Sequence, residues 1–199
     1  MKKGKNNSGY TYYENPFTKV YGSCEPKIIL VGTLGGAEAG KTSYTFPYSG
    51  KGNRMWCLLP ALFDEPSLIG KTDNEKDAFL KKHNIAMHDV CKSAWRKGSG
   101  DSSIKDEVVN DFDEIVKKYP NAKIVCVGKK SHEIFIKHFP HIASAEVWST
   151  SGVSTTKSCK EILTSFRNAF LEKYPNLNNV QTLLDNAPTC KGCTYGNKI

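Results

Sequence analysis

The stretch Gly35–Thr42, GGAEAGKT, has the spacing G-x-x-x-x-G-K-[ST] and directly follows the apolar run KIILVGTL. In a phosphate-binding loop, the lysine and the hydroxyl residue open a helix whose N-terminal amides hold the phosphates. Here the next ten residues are SYTFPYSGKG, and their proline and glycines do not continue a helix. The loop also needs a strand that ends in a magnesium-binding aspartate, for which Asp89 is the candidate. Nucleotide hydrolysis is therefore the least favoured function.

Other side chains able to do chemistry stand near the ends of apolar runs. Asn53 precedes RMWCLL, His88 and Asp89 lie near the end of IAMHDV, and the hydroxyl-rich stretch 149–152, STSG, follows AEVW. An amide can orient a water, and short hydroxyls beside free amides suit phosphates. Each has a structural alternative, because Asn53 can cap a helix, His88 and Asp89 can satisfy buried backbone groups, and the hydroxyls can form a turn.

Predicted strands and helices alternate behind these residues. Apolar runs rich in β-branched residues predict strands at 27–32, 85–90, 123–128 and 145–150. Helical spacing predicts helices after Asn53, at 74–83, over DEVVNDFDEIVKKYP, over SHEIFIKHF, and from Ser158, which forms a capping box with Glu161. This alternation indicates an α/β fold with a mostly parallel sheet.

The composition favours one globular unit with a positive surface. The 199 residues carry 28 Lys and Arg against 20 Asp and Glu, a net charge of +8 spread along the chain, so nucleic acid is the first partner to consider. Solubility alone also explains such a charge. Seven cysteines, an odd number, indicate a reducing compartment, and no apolar run approaches the roughly 18 residues of a membrane span. Cys190 and Cys193 form a lone Cys-x-x-Cys pair, so we expect no metal site.

The order of these motifs resembles the uracil-DNA glycosylase superfamily from about Lys27 to Phe170. VGTLGG and FPYSGKGNRMWCLL are similar to its first motif, a G-x-x-x-G loop, an aromatic-Pro-aromatic stretch and an N-[RA]-F-W helix. VWSTSGVSTTK takes the place of its second motif, which inserts into DNA. NIAMHDVCKSAWRKGSGDSSI resembles the hypoxanthine-DNA glycosylase branch. The resemblance implies a three-layer α/β/α sandwich with a central, mostly parallel four-stranded sheet.

The resemblance also implies a reaction without metal or cofactor, in which the base is flipped out, gripped, and released as water attacks the sugar. The water-holding Asn of the mismatch-specific branch is Leu34 here, and the hypoxanthine branch assigns that role to the residue matching Asn53. Tyr48 matches the aromatic that stacks on the base, and Phe46 is expected in the same group, although both rings could instead pack the loop. The backbone expected to bind the base edge belongs to Thr33, Leu34 and Gly35.

The second motif supplies the expected DNA contacts. Val153 is the expected wedge that fills the space left by the flipped base, whereas the Pro or Asn that the family carries hereabouts is absent. Asp101 and Ser102 match the family's DSAI and, with His88 and Asp89, are expected to support the site. The expected DNA-binding residues are Ser149, Thr150, Ser151, Gly152, Val153 and Ser154.

The resemblance thus implies a monofunctional DNA glycosylase that removes a deaminated base in base excision repair, with hypoxanthine, uracil and xanthine as the expected substrates. The alternatives are a mismatch-type uracil or thymine glycosylase, which Leu34 disfavours, a non-catalytic DNA-binding protein of the same fold, and the nucleotide hydrolase. We expect a monomer without cofactor or membrane contact, in the cytoplasm at the nucleoid or in a eukaryotic nucleus. The expected organisation is an N-terminal arm at 1–25, a glycosylase-like domain at 26–175 and a C-terminal tail at 176–199.

Overall fold

The computed structural model of the chain describes residues 9–36, 38–40, 44–98, 100–152 and 157–186. The strands in these ranges are β1 (Thr11–Glu14), β2 (Tyr21–Gly22), β3 (Ile28–Gly32), β4 (Ile85–Asp89), β5 (Cys91–Arg96), β6 (Lys105–Val109), β7 (Lys123–Val127) and β8 (Ser144–Val147). The helices are α1 (Met55–Ala61), α2 (Asp73–Lys82), α3 (Phe112–Lys118), α4 (Lys129–His138), α5 (Cys159–Phe170) and α6 (Val180–Asn186), with a short 3-10 turn at Asp101–Ser103.

The larger sheet has the order β2-β4-β3-β7-β8, in which β4, β3, β7 and β8 are parallel and the short β2 is antiparallel to β4. β3 is buried along its whole length, as its unbroken apolar sequence requires. β4, the next strand of this sheet along the chain, lies on one side of β3, and β7, which comes later in the chain, lies on its other side. The carboxyl ends of β3 and β7 therefore meet at a switch point, the place where open α/β sheets bind ligands.

A smaller antiparallel sheet, β1-β5-β6, lies outside the predicted strands. Thr11 pairs with Arg96 and Glu14 with Ser93, so part of the segment interpreted as an N-terminal arm is hydrogen-bonded into this sheet. The same segment supplies β2 to the larger sheet. The division into arm, domain and tail stays a prediction, but the structure ties residues 11–22 to the fold.

Helices cover both faces of the larger sheet. One face carries Leu30 and Val125 and packs against α1, α2 and α5. The opposite face carries Ile29 and Val31 and packs against α3, α4 and β5. Successive residues of β3 thus enter opposite cores, which explains why the strand tolerates no polar side chain.

The predicted α/β class is confirmed, although the sheets are mixed. The predicted helix over DEVVNDFDEIVKKYP is wrong in its first half, which forms β6, because Val108 and Val109 are β-branched and suit a strand. α3 begins only after Asp111, whose carboxylate accepts a hydrogen bond from the Glu114 N–H at 3.0 Å. The run CKSAWR, for which no strand was predicted, forms β5. The capping box of Ser158 and Glu161 is confirmed at the start of α5.

The described residues that follow the phosphate-loop pattern, 44–54, contain no helix, and α1 begins only at Met55. Lys41 and Thr42 themselves lie outside the described residues. The helix start that a phosphate-binding loop needs is therefore missing from the residues described after it. No helix among the described residues is long and apolar enough to cross a membrane.

Candidate active site

A pocket opens at the carboxyl ends of β3, β4 and β7, beside residues 149–151 that follow β8. Its cavity measures about 130 Å³, close to an engineered cavity of about 150 Å³ that accepts benzene. Leu34 and Val127 give the wall apolar surface, and carboxyl, guanidinium, amide and hydroxyl groups complete it. The pocket is thus suited to a flat ring that needs several directed hydrogen bonds.

Gly32, the last residue of β3, leaves room for two polar groups. A Cβ at this position would lie 2.1 Å from Asp89 Oδ1 and 2.8 Å from the Tyr48 hydroxyl oxygen. The strand therefore has to end in glycine so that the Asp89 carboxyl can enter the pocket. Ser131, buried in the first turn of α4, fixes this strand end by donating to the carbonyls of Val31 at 2.7 Å and Gly32 at 3.2 Å.

Asp89 is a nearly buried carboxyl at the end of β4. Asn15 Nδ2 donates to Asp89 Oδ2 at 2.8 Å, and the Gly35 N–H donates to the same carboxyl. Burial, with a smaller contribution from the charge of Asp101, raises the pKa of Asp89 to about 6, although its hydrogen bonds and Arg96 oppose the change. Asp89 therefore gains and loses a proton close to neutral pH, which is typical of active-site carboxyls.

Arg96 brings a fixed positive charge to this pocket from the end of β5. Its side chain is fully buried, and Nη2 donates to the Gly35 carbonyl at 3.2 Å. Nη1 lies 3.7 Å from Asp101 Oδ1, too far for a hydrogen bond. Burial raises the pKa of Asp101, whereas a hydrogen bond from the Thr33 hydroxyl and the charge of Arg96 lower it.

The aromatic wall of the pocket comes from Phe17, Tyr44 and Tyr48. Tyr48 has a φ of +59°, a left-handed backbone that side-chain-bearing residues rarely adopt. Its hydroxyl is buried and makes no hydrogen bond to the described residues. The Trp56 indole N–H donates to the Pro47 carbonyl at 2.9 Å and fixes the loop directly before Tyr48. A strained aromatic residue held in this way is typical of a ligand site.

Asn53 lies in the pocket wall, but its amide oxygen is already engaged. Oδ1 accepts a hydrogen bond from the Met55 N–H at 2.9 Å, at the start of α1, and another from the Thr150 hydroxyl at 2.9 Å. The helix-capping contact that sequence reasoning offered as the alternative is therefore present. Both lone pairs of the oxygen are used, and Nδ2 is left without a hydrogen bond to the described residues.

Most of the predicted site residues come together here. Those in the pocket wall are Thr33, Leu34, Gly35, Tyr48, Asn53, Asp89, Asp101, Ser149, Thr150 and Ser151.

Phe46 and His88 do not belong to the pocket wall. Phe46 is buried in the core, edge-on to Tyr21 at 5.1 Å and tilted against Trp56 at 5.6 Å, so it packs the loop rather than a base. His88 precedes Asp89 on β4 and so faces the opposite side of the sheet, where its ring lies 5.9 Å from that of Phe112. Burial lowers the pKa of His88 to about 4, so this ring is neutral at physiological pH.

The remaining predicted residues lie at the edge of the site or outside the residues that the structure describes. The Gly152 N–H donates to the Gly52 carbonyl at 3.2 Å, which joins the second motif to the first. Ser102 lines a neighbouring cavity of about 490 Å³ together with Lys129 and Lys130. Val153 and Ser154 lie outside the described residues.

Sequence reasoning missed Arg96, which lies in the pocket wall, and Asn15, which donates to Asp89 from behind it. Asn15 lies in the segment interpreted as an arm, and Arg96 ends the strand that was not predicted. Alternation in CKSAWR places Arg96 on the same face as the exposed Lys92, so the sequence carries no signal that this arginine is buried. Among the residues that the structure describes, no cluster of three or more His, Cys, Asp and Glu side chains is arranged to hold a metal ion.

The chain is similar to proteins named hypoxanthine DNA glycosylase. It is 36% identical to one from Methanosarcina barkeri and 33% identical to one from Methanosarcina acetivorans, in each case over 109 residues that make up 54% of this chain and 66% of the relative. The match thus spans just under two thirds of the length of these curated relatives.

A solved structure supports the same relationship. The chain superposes with a TM-score of 0.62 and 26% identity on the solution NMR structure of a uracil DNA glycosylase candidate from Methanosarcina acetivorans, over 76% of this chain and 95% of that one. A comparison with protein-family models finds no match.

Proposed function

We propose that this chain is a member of the uracil-DNA glycosylase superfamily, in its hypoxanthine-DNA glycosylase branch, and that it hydrolyses the N-glycosidic bond of hypoxanthine in DNA. The observation that carries the proposal is the ring-sized pocket at the switch point of the sheet, with aromatic walls and directed polar groups. Such a pocket accepts a flat heteroaromatic base that has been turned out of the DNA stack. Uracil and xanthine are the second substrates.

Tyr48 and the backbone at 33–35 are proposed to grip the base. Tyr48 lies in the pocket wall with its hydroxyl close to Gly32 at the strand end, and a ring stacked on a base contributes roughly 1–3 kcal/mol. The hydroxyls of Ser149 and Ser151 lie in the same wall and suit the phosphates beside the flipped nucleotide, whereas the buried Thr150 hydroxyl donates to Asn53. The net charge of +8 favours approach of the DNA backbone.

Asn53 is proposed to hold the attacking water. Its Oδ1 accepts two hydrogen bonds in the free protein, so one of them must be released before the atom can accept a hydrogen bond from the water. The bond from Met55 starts α1, whereas the Thr150 hydroxyl can rotate. We infer that the Thr150 hydroxyl, which is fully buried, rotates away from Asn53 when substrate binds and so frees Oδ1 for the water. Hydrolysis through an oxocarbenium-like transition state then needs an oriented water rather than a strong base.

A non-catalytic DNA-binding protein is the second candidate function. The observation that favours it is that Asn53 Oδ1 already accepts two hydrogen bonds. If Asn53 only caps α1, it does not hold the water, and Leu34, which stands where the mismatch-specific branch has its water-holding Asn, has no polar group to hold it.

We also infer a three-layer sandwich from the two helix-covered faces of the larger sheet. The protein is further proposed to act as a monomer on DNA in the nucleoid or the nucleus.

Single-turnover cleavage of duplex DNA with one hypoxanthine or one uracil, without metal and followed by alkali, tests the proposal. Wild type is expected to break the strand at hypoxanthine. Asn53→Ser keeps a good helix cap but is too short to hold the water, so we expect a roughly 10²- to 10³-fold slower reaction with unchanged stability. Asn121→Ala, an exposed amide at the opposite end of the sheet, is the matched control and should react like wild type.

The outcomes separate the candidates. Equal rates for Asn53→Ser and wild type would make Asn53 a cap alone and return the chemistry to another pocket group. DNA binding without strand breaks at any base, even with excess protein, would establish the non-catalytic candidate. Magnesium-dependent nucleotide binding that is lost in Lys41→Ala would establish the nucleotide hydrolase instead.

A further inference from the structure

The guanidinium of Arg96 lies in the pocket wall, with its Cζ 4.8 Å from the centre of the Tyr13 ring. The residue has no exposed surface, yet Nε and Nη1 make no hydrogen bond to the described residues. The hydrogen bonding of the group is limited to the bond from Nη2 to the Gly35 carbonyl. A buried donor without a partner costs roughly 1–3 kcal/mol, and more when it is charged.

Arg96 forms part of the pocket wall, so the missing partner can come from a ligand. Nη1 and Nη2 share one edge of the guanidinium plane, and Nη2 carries a second hydrogen besides the one that the Gly35 carbonyl accepts, so this edge can donate to two acceptor atoms that lie close together. A 6-oxopurine offers O6 and N7 side by side, which is the edge that arginine reads most often in double-stranded DNA. Adenine places an amino group at position 6, and pyrimidines have no N7.

We propose that Arg96 determines base specificity by donating hydrogen bonds to O6 and N7 of a flipped 6-oxopurine, an inference that rests on the proposed glycosylase function. Arg96 then favours hypoxanthine over adenine and over uracil. Guanine carries the same edge, but its stable pair with cytosine makes it the costlier base to flip. The preference among 6-oxopurines is thus set before the base enters the pocket.

Asp101 is the group that has to give way for this contact. Its carboxylate lies 3.7 Å from Nη1, and its side chain keeps 36% of its surface exposed. It stands on the 3-10 turn Asp101–Ser103, directly after Gly100. A small outward shift of this turn opens Nη1 to the base, while Nη2 keeps Gly35 in place.

Binding to uncleavable DNA tests the inference apart from catalysis. The probes are duplexes that carry the 2′-fluoro-arabino form of hypoxanthine, 7-deazahypoxanthine or adenine, or an abasic tetrahydrofuran. Wild type is expected to prefer hypoxanthine over the abasic duplex, and Arg96→Lys to reduce that preference about 10- to 100-fold, since lysine keeps the charge but loses the planar fork. Affinity for the abasic duplex is expected to stay within about threefold.

Two comparisons make the result decisive. If Arg96 contacts N7, the duplex with 7-deazahypoxanthine binds wild type more weakly than the hypoxanthine duplex does. The Arg96→Lys variant should bind these two duplexes equally, because its contact with N7 is already lost. Arg54 is the matched control, because it is also buried with two nitrogens that lack a described partner but lies outside the pocket wall. Arg54→Lys should keep the preference for hypoxanthine.

Three results would overturn the role of Arg96. The first is that the losses of affinity caused by Arg96→Lys and by replacing N7 are additive. The others are that Arg96→Lys keeps the preference for hypoxanthine, or that it loses as much affinity for the abasic duplex as for the hypoxanthine duplex. Hypoxanthine cleavage by wild type would still support the proposed function in each of these cases. Conversely, an intact N7 coupling without any cleavage would sustain the base contact and contradict the glycosylase.

Discussion

Replacing Asp89 with Asn is expected to change how the stability of the protein depends on pH. Burial raises the pKa of Asp89 from 3.8 to about 6, so the folded protein prefers the protonated carboxyl. A raised pKa of an acid means that its stabilising contribution is complete below pH 3.8 and is lost as pH rises through about 6. At about 1.4 kcal/mol per pKa unit, the change amounts to about 3 kcal/mol between acidic and neutral pH.

Urea unfolding of wild type and Asp89→Asn from pH 4.5 to pH 7.5 measures this difference. Because the amide does not titrate, the stability of the variant relative to wild type should increase by about 2 kcal/mol across the range, since the rest of the change falls below pH 4.5. Asp106→Asn removes an exposed carboxylate and should show no comparable increase. A constant difference between Asp89→Asn and wild type across the range would refute the reasoning, since Asp89 would then ionise as easily in the folded chain as in the unfolded one.

Two further substitutions test how the pocket is held together. Gly32→Ala places a Cβ 2.1 Å from Asp89 Oδ1, so it should displace the carboxyl and reduce the rate of single-turnover cleavage at least about tenfold. Gly100→Ala is the control, because the nearest atom to its Cβ lies at an ordinary contact distance of 3.7 Å. Wild-type cleavage by Gly32→Ala would show that the position of Asp89 is not needed. Lys76 is buried and donates to Ser49 Oγ at 2.8 Å. Lys76→Met should therefore loosen the loop beside Tyr48 and lower the cleavage rate several-fold. The free energy of unfolding should change by only about 1 kcal/mol, the net value of one hydrogen bond. Lys81→Met, on the exposed side of α2, is its control, and equal rates for the two variants would contradict a positioning role for Lys76.

Sequence patterns predicted the fold best where periodicity and burial agree. β3 and β7 are continuous apolar runs, and α5 combines a capping box with a regular apolar stripe, so their identity was readable. The prediction was wrong at β6, because the apolar residues of KDEVV and those of α3 together have helical spacing. Local spacing cannot separate the two, because the pairing of β6 with β5 that decides between them is a tertiary contact.

The candidate site was predictable to the extent that strand ends carry chemistry in a parallel sheet. Asp89 and Thr150 follow from that rule, and both lie in the pocket wall. Asn15 was not predictable, because it comes from a segment without a period and reaches the pocket only through the pairing of β1 with β5. Phe46 was misplaced for a related reason, since sequence alone does not tell which ring of an aromatic loop faces the core.

The contacts that build the pocket join residues far apart in the chain. Asn15 and Asp89 are separated by 74 positions, Asn53 and Thr150 by 97, and Val31 and Ser131 by 100. Each contact requires the closure of a long loop, whose entropy must be lost before the contact can form. A partly folded chain that lacks these contacts has an incomplete pocket, and on the proposed function we expect it to excise no bases. Recovery of cleavage after dilution from urea should accordingly lag behind the recovery of helix, which makes activity a reporter of the last step of folding.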